Sequence, residues 1–482
     1  MTLDGGGVLG MIRRRGSRRG PDDPHGDVKG DDHGCCPSGG LSIGVATSAF
    51  QIEGAATADG KGPSIWDEFT RVPGVIGDGT NADHATEHHA RVDEDLDLLV
   101  WLGVDAYRFS ISWPRIQPDG RGRPNSAGRG FYDRLVDGLL ERAITPLATL
   151  YHWDLPAALQ QDGGWPARDT ALRFADYAAL TAARLGDRVS MWATLNEPWC
   201  AAFLGHHTGV HAPGIRDDRA AVAAAHHLLL AHGHGAEAVR SAGGREVGLV
   251  LNPAPVWPAS DDDADREAAR LVDGVRNRLW LDAVCRGRYP TDVLEAFGEV
   301  ADLSCIRDGE LAVIATPIDW LGVNFYNPEQ AAAGGDGRPA VGPGLDGITQ
   351  PEIDAERTQL GGPIHPPSMT DILQRITDDY GPLPLWVTEN GAAYDDAPGP
   401  DGEVRDEARV RYLDGHLTAA LEGRDAGVDL RGYMVWSFLD NFEWAEGFVP
   451  RFGVVFVDYE TQQRVPKSSA NWLRDLLASR AS

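Results

Sequence analysis

Eight short apolar runs, most of them separated from the next by a segment long enough for an amphipathic helix, shape the chain from residue 41 onward. The runs are Leu41–Ala49, Ala106–Ile111, Thr145–Tyr151, Ser190–Leu195, Val247–Asn252, Trp320–Phe325, Leu383–Thr388 and Gly432–Phe438. The helical candidates between and after them are Arg91–Leu102, Phe131–Ala143, Asp169–Leu185, Ala220–Ala242, Asp265–Cys285, Met369–Tyr380 and Glu407–Gly423. Near-continuous apolar strands belong to parallel sheets buried on both faces, and parallel neighbours need a crossover, usually a helix. Eight such units predict an α/β fold, a closed (β/α)8 TIM barrel in a single domain. An open doubly wound sheet is the alternative. That fold usually carries an early glycine-rich phosphate loop, and neither GxGxxG nor GxxxxGK[ST] stands here between a strand and a helix. A length of 482 residues suits a barrel with insertions. The Gly/Pro-rich stretch 329–367 reads as surface loops over the barrel mouth.

Residues 1–40 differ in kind, being rich in Gly, Asp, Arg and Pro and poor in aromatics. Such a segment buries too little apolar surface to offset its ordering entropy, so disorder is expected there, with the folded domain over 41–482. The arginines at 13–15, 18 and 19 precede no apolar stretch, so no secretory or twin-arginine signal is read. No run of about 18 apolar residues occurs, and no membrane role is expected. The net charge of −28 repels phosphate backbones and argues against nucleic acid as a partner. The five cysteines are sparse, odd in number and without a CxxC pair. They imply neither a disulfide framework nor a metal site, and a reducing cytoplasm fits them.

In barrels of this kind functional groups occupy the C-terminal ends of the strands. There the sequence reads Gln51-Ile52-Glu53, Tyr107-Arg108-Phe109, Tyr151-His152-Trp153 and Asn196-Glu197-Pro198 after the first four runs. Asn324-Phe325-Tyr326, Glu389-Asn390-Gly391 and Trp436-Ser437, followed by Asp440-Asn441-Phe442-Glu443-Trp444, end the last three. Singly, each has a bland explanation: a strand-end Glu caps or pairs, a His is satisfied in the core, a Trp packs. Jointly they make a site. Glycoside hydrolysis needs two carboxyl groups flanking the scissile bond, one protonated and one ionised, about 5–5.5 Å apart when configuration is retained. Strands four and seven face each other across a barrel mouth, which makes Glu197 and Glu389 the candidate pair. Arg108 beside Glu389 is expected to keep it anionic, and Tyr326 to donate a hydrogen bond to it. Gln51, His152, Asn196 and Glu443 supply polar groups for sugar hydroxyls, and Trp436 and Trp444 supply a platform and wall.

The motifs ATSAFQIEGA (46–55), GKGPSIWDEF (60–69), DAYRFSISWPRI (105–116), LYHWDLPAALQ (150–160), TLNEPWC (194–200), GVNFY (322–326), VTENGAAY (387–394), WSFLDNFEWAEGF (436–448) and RFGVVFVDY (451–459) resemble glycoside hydrolase family 1, the bacterial β-glucosidases. The resemblance implies retention of configuration and no cofactor. It makes Glu197 the acid/base, Glu389 the nucleophile, and Arg108, Asn324 and Tyr326 its support. It assigns Gln51, His152, Asn196, Trp436, Glu443 and Trp444 to the sugar, and Trp199, Cys200 and Leu204 to the leaving-group side. It implies hydrolysis of terminal β-D-glucosyl residues of β-glucosides or cello-oligosaccharides, with β-galactosidase or β-fucosidase side activity and possible homo-oligomers. Transglycosylation and a catalytically silent sugar binder are the alternatives. The phosphate-binding relatives carry basic residues where Glu443 and Trp444 stand, so an unphosphorylated sugar is expected. Where relatives carry Met-Gly-Trp, residues 360–362 are Leu-Gly-Gly. The missing Trp predicts weaker leaving-group discrimination.

Overall fold

The computed structural model describes residues 40–480; the expectation for residues 1–40 lies, residue 40 apart, outside them. Eight parallel strands close into a barrel: β1 (Ser42–Ala46), β2 (Ala106–Ser110), β3 (Thr145–Tyr151), β4 (Met191–Asn196), β5 (Glu246–Leu251), β6 (Trp320–Asn324), β7 (Leu385–Asn390) and β8 (Leu430–Trp436). Each strand pairs with its neighbour in sequence, and β8 closes on β1 with Ser42 opposite Gly432 and Ala46 opposite Trp436. The (β/α)8 expectation therefore holds, and all eight apolar runs contribute a strand. The main apolar core lies between this barrel and its helices, and a smaller one fills the barrel itself.

The strand ends moved in ways that matter for chemistry. The first run breaks after Ala46, and Ala49–Ile52 turns helical, with the Ala49 N–H donating to Ser110 Oγ at 2.7 Å. This brings Gln51 back over the mouth rather than along the strand. The seventh strand extends to Asn390, so Glu389 belongs to the ladder itself, with a register shift between Val387 and Glu389 against β6. The helix expected over Asp265–Cys285 is two helices, Asp263–Asp273 and Leu279–Arg286, joined by a π turn at Gly274–Arg278. The wider turn re-phases the side chains. Asn277 reaches inward, accepting from the Ala254 N–H at 3.0 Å and donating to the Ala254 carbonyl at 2.7 Å.

Two indoles plug the barrel. A Cβ on Gly432 would stand 2.1 Å from the Trp386 ring, and one on Gly248 2.5 Å from the Trp320 ring. Only hydrogen fits at these positions, so the interior is packed rather than open. At the mouth, the stretch read as loops carries short strands, Glu329–Ala331 beside Val256–Pro258 and Arg338–Pro339 beside Thr349–Gln350.

The loops after β7 and β8 are tied together below the mouth by buried charge. Lys467 Nζ reaches Asp396 at 2.6 Å and Asp440 at 2.7 Å; Arg451 holds the other Asp440 oxygen at 2.8 Å, and Arg409 joins Asp396 and Asp406. Lys467, Asp440 and Arg409 have no exposed side-chain surface, so each charge depends on its partners. Lys467→Met would leave two buried carboxylates short of a cation. It is expected to lower unfolding free energy by about 3–5 kcal/mol in urea titrations, with a larger loss than the exposed-pair variant Arg121→Met.

Candidate active site

The strand ends converge on one cavity of about 760 Å³. His152, Asn196, Glu197, Tyr326, Glu389, Trp436, Glu443 and Trp444 line it, eight of the residues singled out from sequence. Arg108, Asn324 and Gln51 stand behind that wall and hold it.

Arg108 on β2 has no exposed side-chain surface. Its Nη1 donates to Glu389 Oε1 at 2.5 Å and to the Thr388 carbonyl at 3.2 Å, and its Nη2 donates to Asn196 Oδ1 at 2.6 Å. Tyr326 Oη donates to the other oxygen, Glu389 Oε2, at 2.6 Å. Both Glu389 oxygens are thus fixed. Asn324 Nδ2 donates to Glu197 Oε1 at 2.6 Å and to Asn196 Oδ1 at 3.0 Å, while its own Oδ1 accepts from Thr388 Oγ1 at 2.7 Å. The second oxygen, Glu197 Oε2, accepts the Cys200 thiol at 3.1 Å. A single hydrogen-bonded network drawn from β2, β4, β6 and β7 therefore positions both carboxyl groups.

Burial pushes the Glu389 carboxyl up to about 7. Arg108 and Tyr326 pull it down and the charge of Glu197 pushes it up. Arg108 acts in the direction expected, but the loss of water around a wholly enclosed carboxylate outweighs it. Burial likewise pushes Glu443 up to about 8, reinforced by Glu389, Glu197 and Glu446, against a hydrogen bond from Gln51. Glu389 and Glu443 share this small space with Glu197, whose charge pushes both of them up.

Around them the surfaces alternate between flat rings and polar edges. Trp436, His152 and Trp444 form a nearly parallel series, His152 lying 5.9 Å from each indole at 20° and 16°. Burial holds His152 neutral, far below its ordinary range, and its Nε2 accepts from Asn196 Nδ2 at 3.0 Å. Its Nδ1 is buried without a partner among the described residues. Gln51 Nε2 donates to Asn441 Oδ1, the Phe442 carbonyl and Glu443 Oε2, at 2.9, 2.8 and 3.4 Å. Trp153, Glu197 and Trp444 adopt positive φ (76°, 43° and 48°), a conformation costing of order 1–3 kcal/mol per residue and typical of functional sites.

The remaining sequence candidates sit deeper. Trp199 is 9% exposed and lies under the guanidinium of Arg276; Cys200 contacts Glu197; Leu204 is half-buried against the core. Sequence reasoning passed over Trp153 as a binding residue, and also His211, Arg276, Gln350, Leu360 and Phe452, all in the cavity wall. Trp153 stands among the strand-end residues but is given no role there; the others stand on the connections between or after the barrel strands, where no strand-end rule marks them. Gly362 is also in the wall, where a built Cβ would stand 3.0 Å from Asn327 Oδ1 and 3.5 Å from Thr358 Oγ1. Among the described residues no group of three or more His, Cys, Asp or Glu is arranged to hold a metal ion, and no helix is long and apolar enough to cross a membrane.

The sequence matches the family model described as Glycosyl hydrolase family 1 over residues 37–481. It is 46% identical over 475 residues to the thermostable β-glucosidase B of Thermobispora bispora, covering 97% of each chain. It is 42% identical to a bifunctional β-D-glucosidase/β-D-fucosidase of Bifidobacterium breve, covering 92% of this chain and 98% of that one. The fold superposes on the family 1 β-glucosidase of Thermotoga maritima with a TM-score of 0.88 at 42% identity, covering 93% and 99% of the chains. That protein has also been solved with isofagomine lactam bound.

The raised carboxyl of Glu443 has a consequence for stability. The unfolded chain loses this proton near the ordinary value of 4.5, the folded chain only near 8, so folding stability falls as pH rises between them. Glu443→Gln removes that decline. Relative to the unaltered protein, the variant is expected to gain on the order of 2–4 kcal/mol between pH 4.5 and pH 8.5. Thermal unfolding of both proteins across that range checks it; a constant offset contradicts it.

Proposed function

The chain belongs to glycosyl hydrolase family 1, and from that membership we propose a retaining β-glucosidase in which Glu389 attacks the sugar and Glu197 serves as acid and then base. It is an O-glycosyl hydrolase of the β-glucosidase type, as its relatives are. What carries the mechanistic reading is the single network that fixes Glu389 by Arg108 and Tyr326, and Glu197 by Asn324, at the edge of one cavity.

In the first step a lone pair of Glu389 forms a bond to the anomeric carbon as the bond to the leaving oxygen breaks. Glu197 gives that oxygen its proton. Arg108 and Tyr326 hold the attacking carboxylate in orientation, so little reorganisation remains. In the second step Glu197 takes a proton from water, whose oxygen displaces Glu389 and regenerates both groups. Having given up its proton in the first step, Glu197 is a carboxylate when water arrives, and the ester leaves no negative charge on Glu389 beside it.

His152, Asn196, Gln51 and Glu443 read the sugar hydroxyls, and Trp436 and Trp444 cover its C–H face. The substrate in this reading is a neutral terminal β-glucoside, with β-fucosidase side activity supported by the bifunctional Bifidobacterium breve relative. A cytoplasmic location is part of the reading and is supported by the sparse cysteines, of which Cys200, Cys285 and Cys305 are free.

Incubation with 2-deoxy-2-fluoroglucosyl fluoride should add the mass of one fluoroglucosyl group to the peptide bearing Glu389. Glu389→Gln should abolish both labelling and turnover, whereas labelling of a different carboxylate would refute the assignment. Glu197→Gln should slow hydrolysis of poor leaving groups by about 10²–10⁴-fold while sparing dinitrophenyl glucosides, which leave without a proton.

A further inference from the structure

Just outside the carboxyl pair the cavity wall changes character. Trp199 follows Glu197 by two residues, and the guanidinium of Arg276 lies over its ring at 4.2 Å. Arg276 comes from the π turn between β5 and β6, which re-phases the helix there. Its Nε stands 3.5 Å from Glu329 Oε1, an ion-pair contact, and is buried without a hydrogen-bond partner among the described residues. The indole N–H of Trp199 is buried and unpartnered in the same way. Glu329 Oε2 accepts from Gln350 Nε2 at 2.7 Å. Arg276, Glu329 and Gln350 all line the cavity.

The geometry points to Arg276, stacked on Trp199 and paired with Glu329, as the residue that recognises a second sugar on the leaving-group side, making an oligosaccharide the preferred substrate class. The inference deepens the β-glucosidase reading and rests on it. A guanidinium is a rigid fork of donors suited to two acceptor oxygens, and stacking on an indole fixes its plane. Neighbouring hydroxyls of a sugar offer such oxygens, and each hydroxyl also has a proton for Glu329. An apolar aryl leaving group offers the guanidinium fork no acceptor, whereas a sugar does. An anionic leaving group meets the carboxylates Glu329, Glu352 and Glu446 in the same cavity. Of the three arginines in that wall, Arg276 is already shared with Glu329 and Arg357 with Glu352, and the third is Arg338. Elsewhere in the lining, Gly361 and Gly362 offer no ring to stack on. That leaves leaving-group recognition to the polar wall.

Kinetics of the whole chain with cellobiose, 4-nitrophenyl β-glucoside and 4-carboxyphenyl β-glucoside test the assignment. Arg276→Met keeps a comparable apolar stem on Trp199 but removes the fork. It is expected to lower the ratio of kcat/KM for cellobiose to that for 4-nitrophenyl β-glucoside at least about tenfold, mainly through KM. Glu329→Gln should move the same ratio in the same direction by a smaller factor. Equal losses on both substrates, with a lowered unfolding temperature, would mean that Arg276 only braces the loop and would overturn the assignment. An unchanged ratio, or a preference of the unaltered protein for the carboxylated aryl glucoside over cellobiose, would overturn it too. These results leave β-glucosidase activity itself intact. Failure of the unaltered protein to cleave any of the three glucosides would instead refute that activity, and the leaving-group assignment with it.

Discussion

Arg108 points into the barrel mouth from β2 and bonds to two strands at once. With no exposed surface, its charge is balanced by Glu389 at 2.5 Å and solvated by Asn196 at 2.6 Å in place of water. Removing such a partner would leave an uncompensated buried charge, which costs far more than a surface pair yields. The network that fixes Asn196 also fixes Asn324 and, through it, Glu197. The positions of the two carboxyl groups are therefore not independent. They are set by one buried cation and the strands that surround it.

That arrangement is held against several opposing terms. Burial and mutual repulsion raise Glu389 and Glu443 far above ordinary carboxyl values. Three wall residues occupy positive φ, and His152 keeps an unpartnered ring nitrogen. Such features destabilise a native state, and a barrel with an extensive core can carry them. Part of the compensation is local: the Lys467, Arg409 and Arg451 charges clamp the loops after β7 and β8, so that Glu443 and Trp444 are delivered by rigid segments. Preorganised groups need little rearrangement when charge develops in a transition state.

The cavity has two parts of different origin. Its inner end is built from strand termini, where Glu197, Glu389, Tyr326 and Trp436 stand on or next to the ladder. Its outer part comes from connections: the π turn bearing Arg276, the short strand with Glu329, and the 357–362 segment, where Arg357 donates to the Ile353 carbonyl at 2.8 Å and the Gly361 carbonyl at 2.7 Å. A barrel can therefore keep one sugar site while its loops select different leaving groups.

The inner part was readable from the chain, because a strand-end residue in a parallel barrel is directed by a period that sequence displays. Apolar runs gave the eight strands, and polar residues at their ends marked Glu197, Glu389, Asn324 and Tyr326. Strand limits were less legible: Glu389 lies within β7 and Gln51 on a helical turn, since ladder hydrogen bonds, not apolarity, end a strand. The balance between Arg108 and burial at Glu389 depended on enclosure by distant segments, as did the meeting of Trp199 with Arg276, 77 positions apart in the chain. Residue order settled the fold and the chemical groups at its mouth, because local periodicity encodes both. Tertiary structure alone decided how strongly those groups hold their protons and which loop residues line the cavity, because desolvation and through-space contact have no counterpart in a linear sequence.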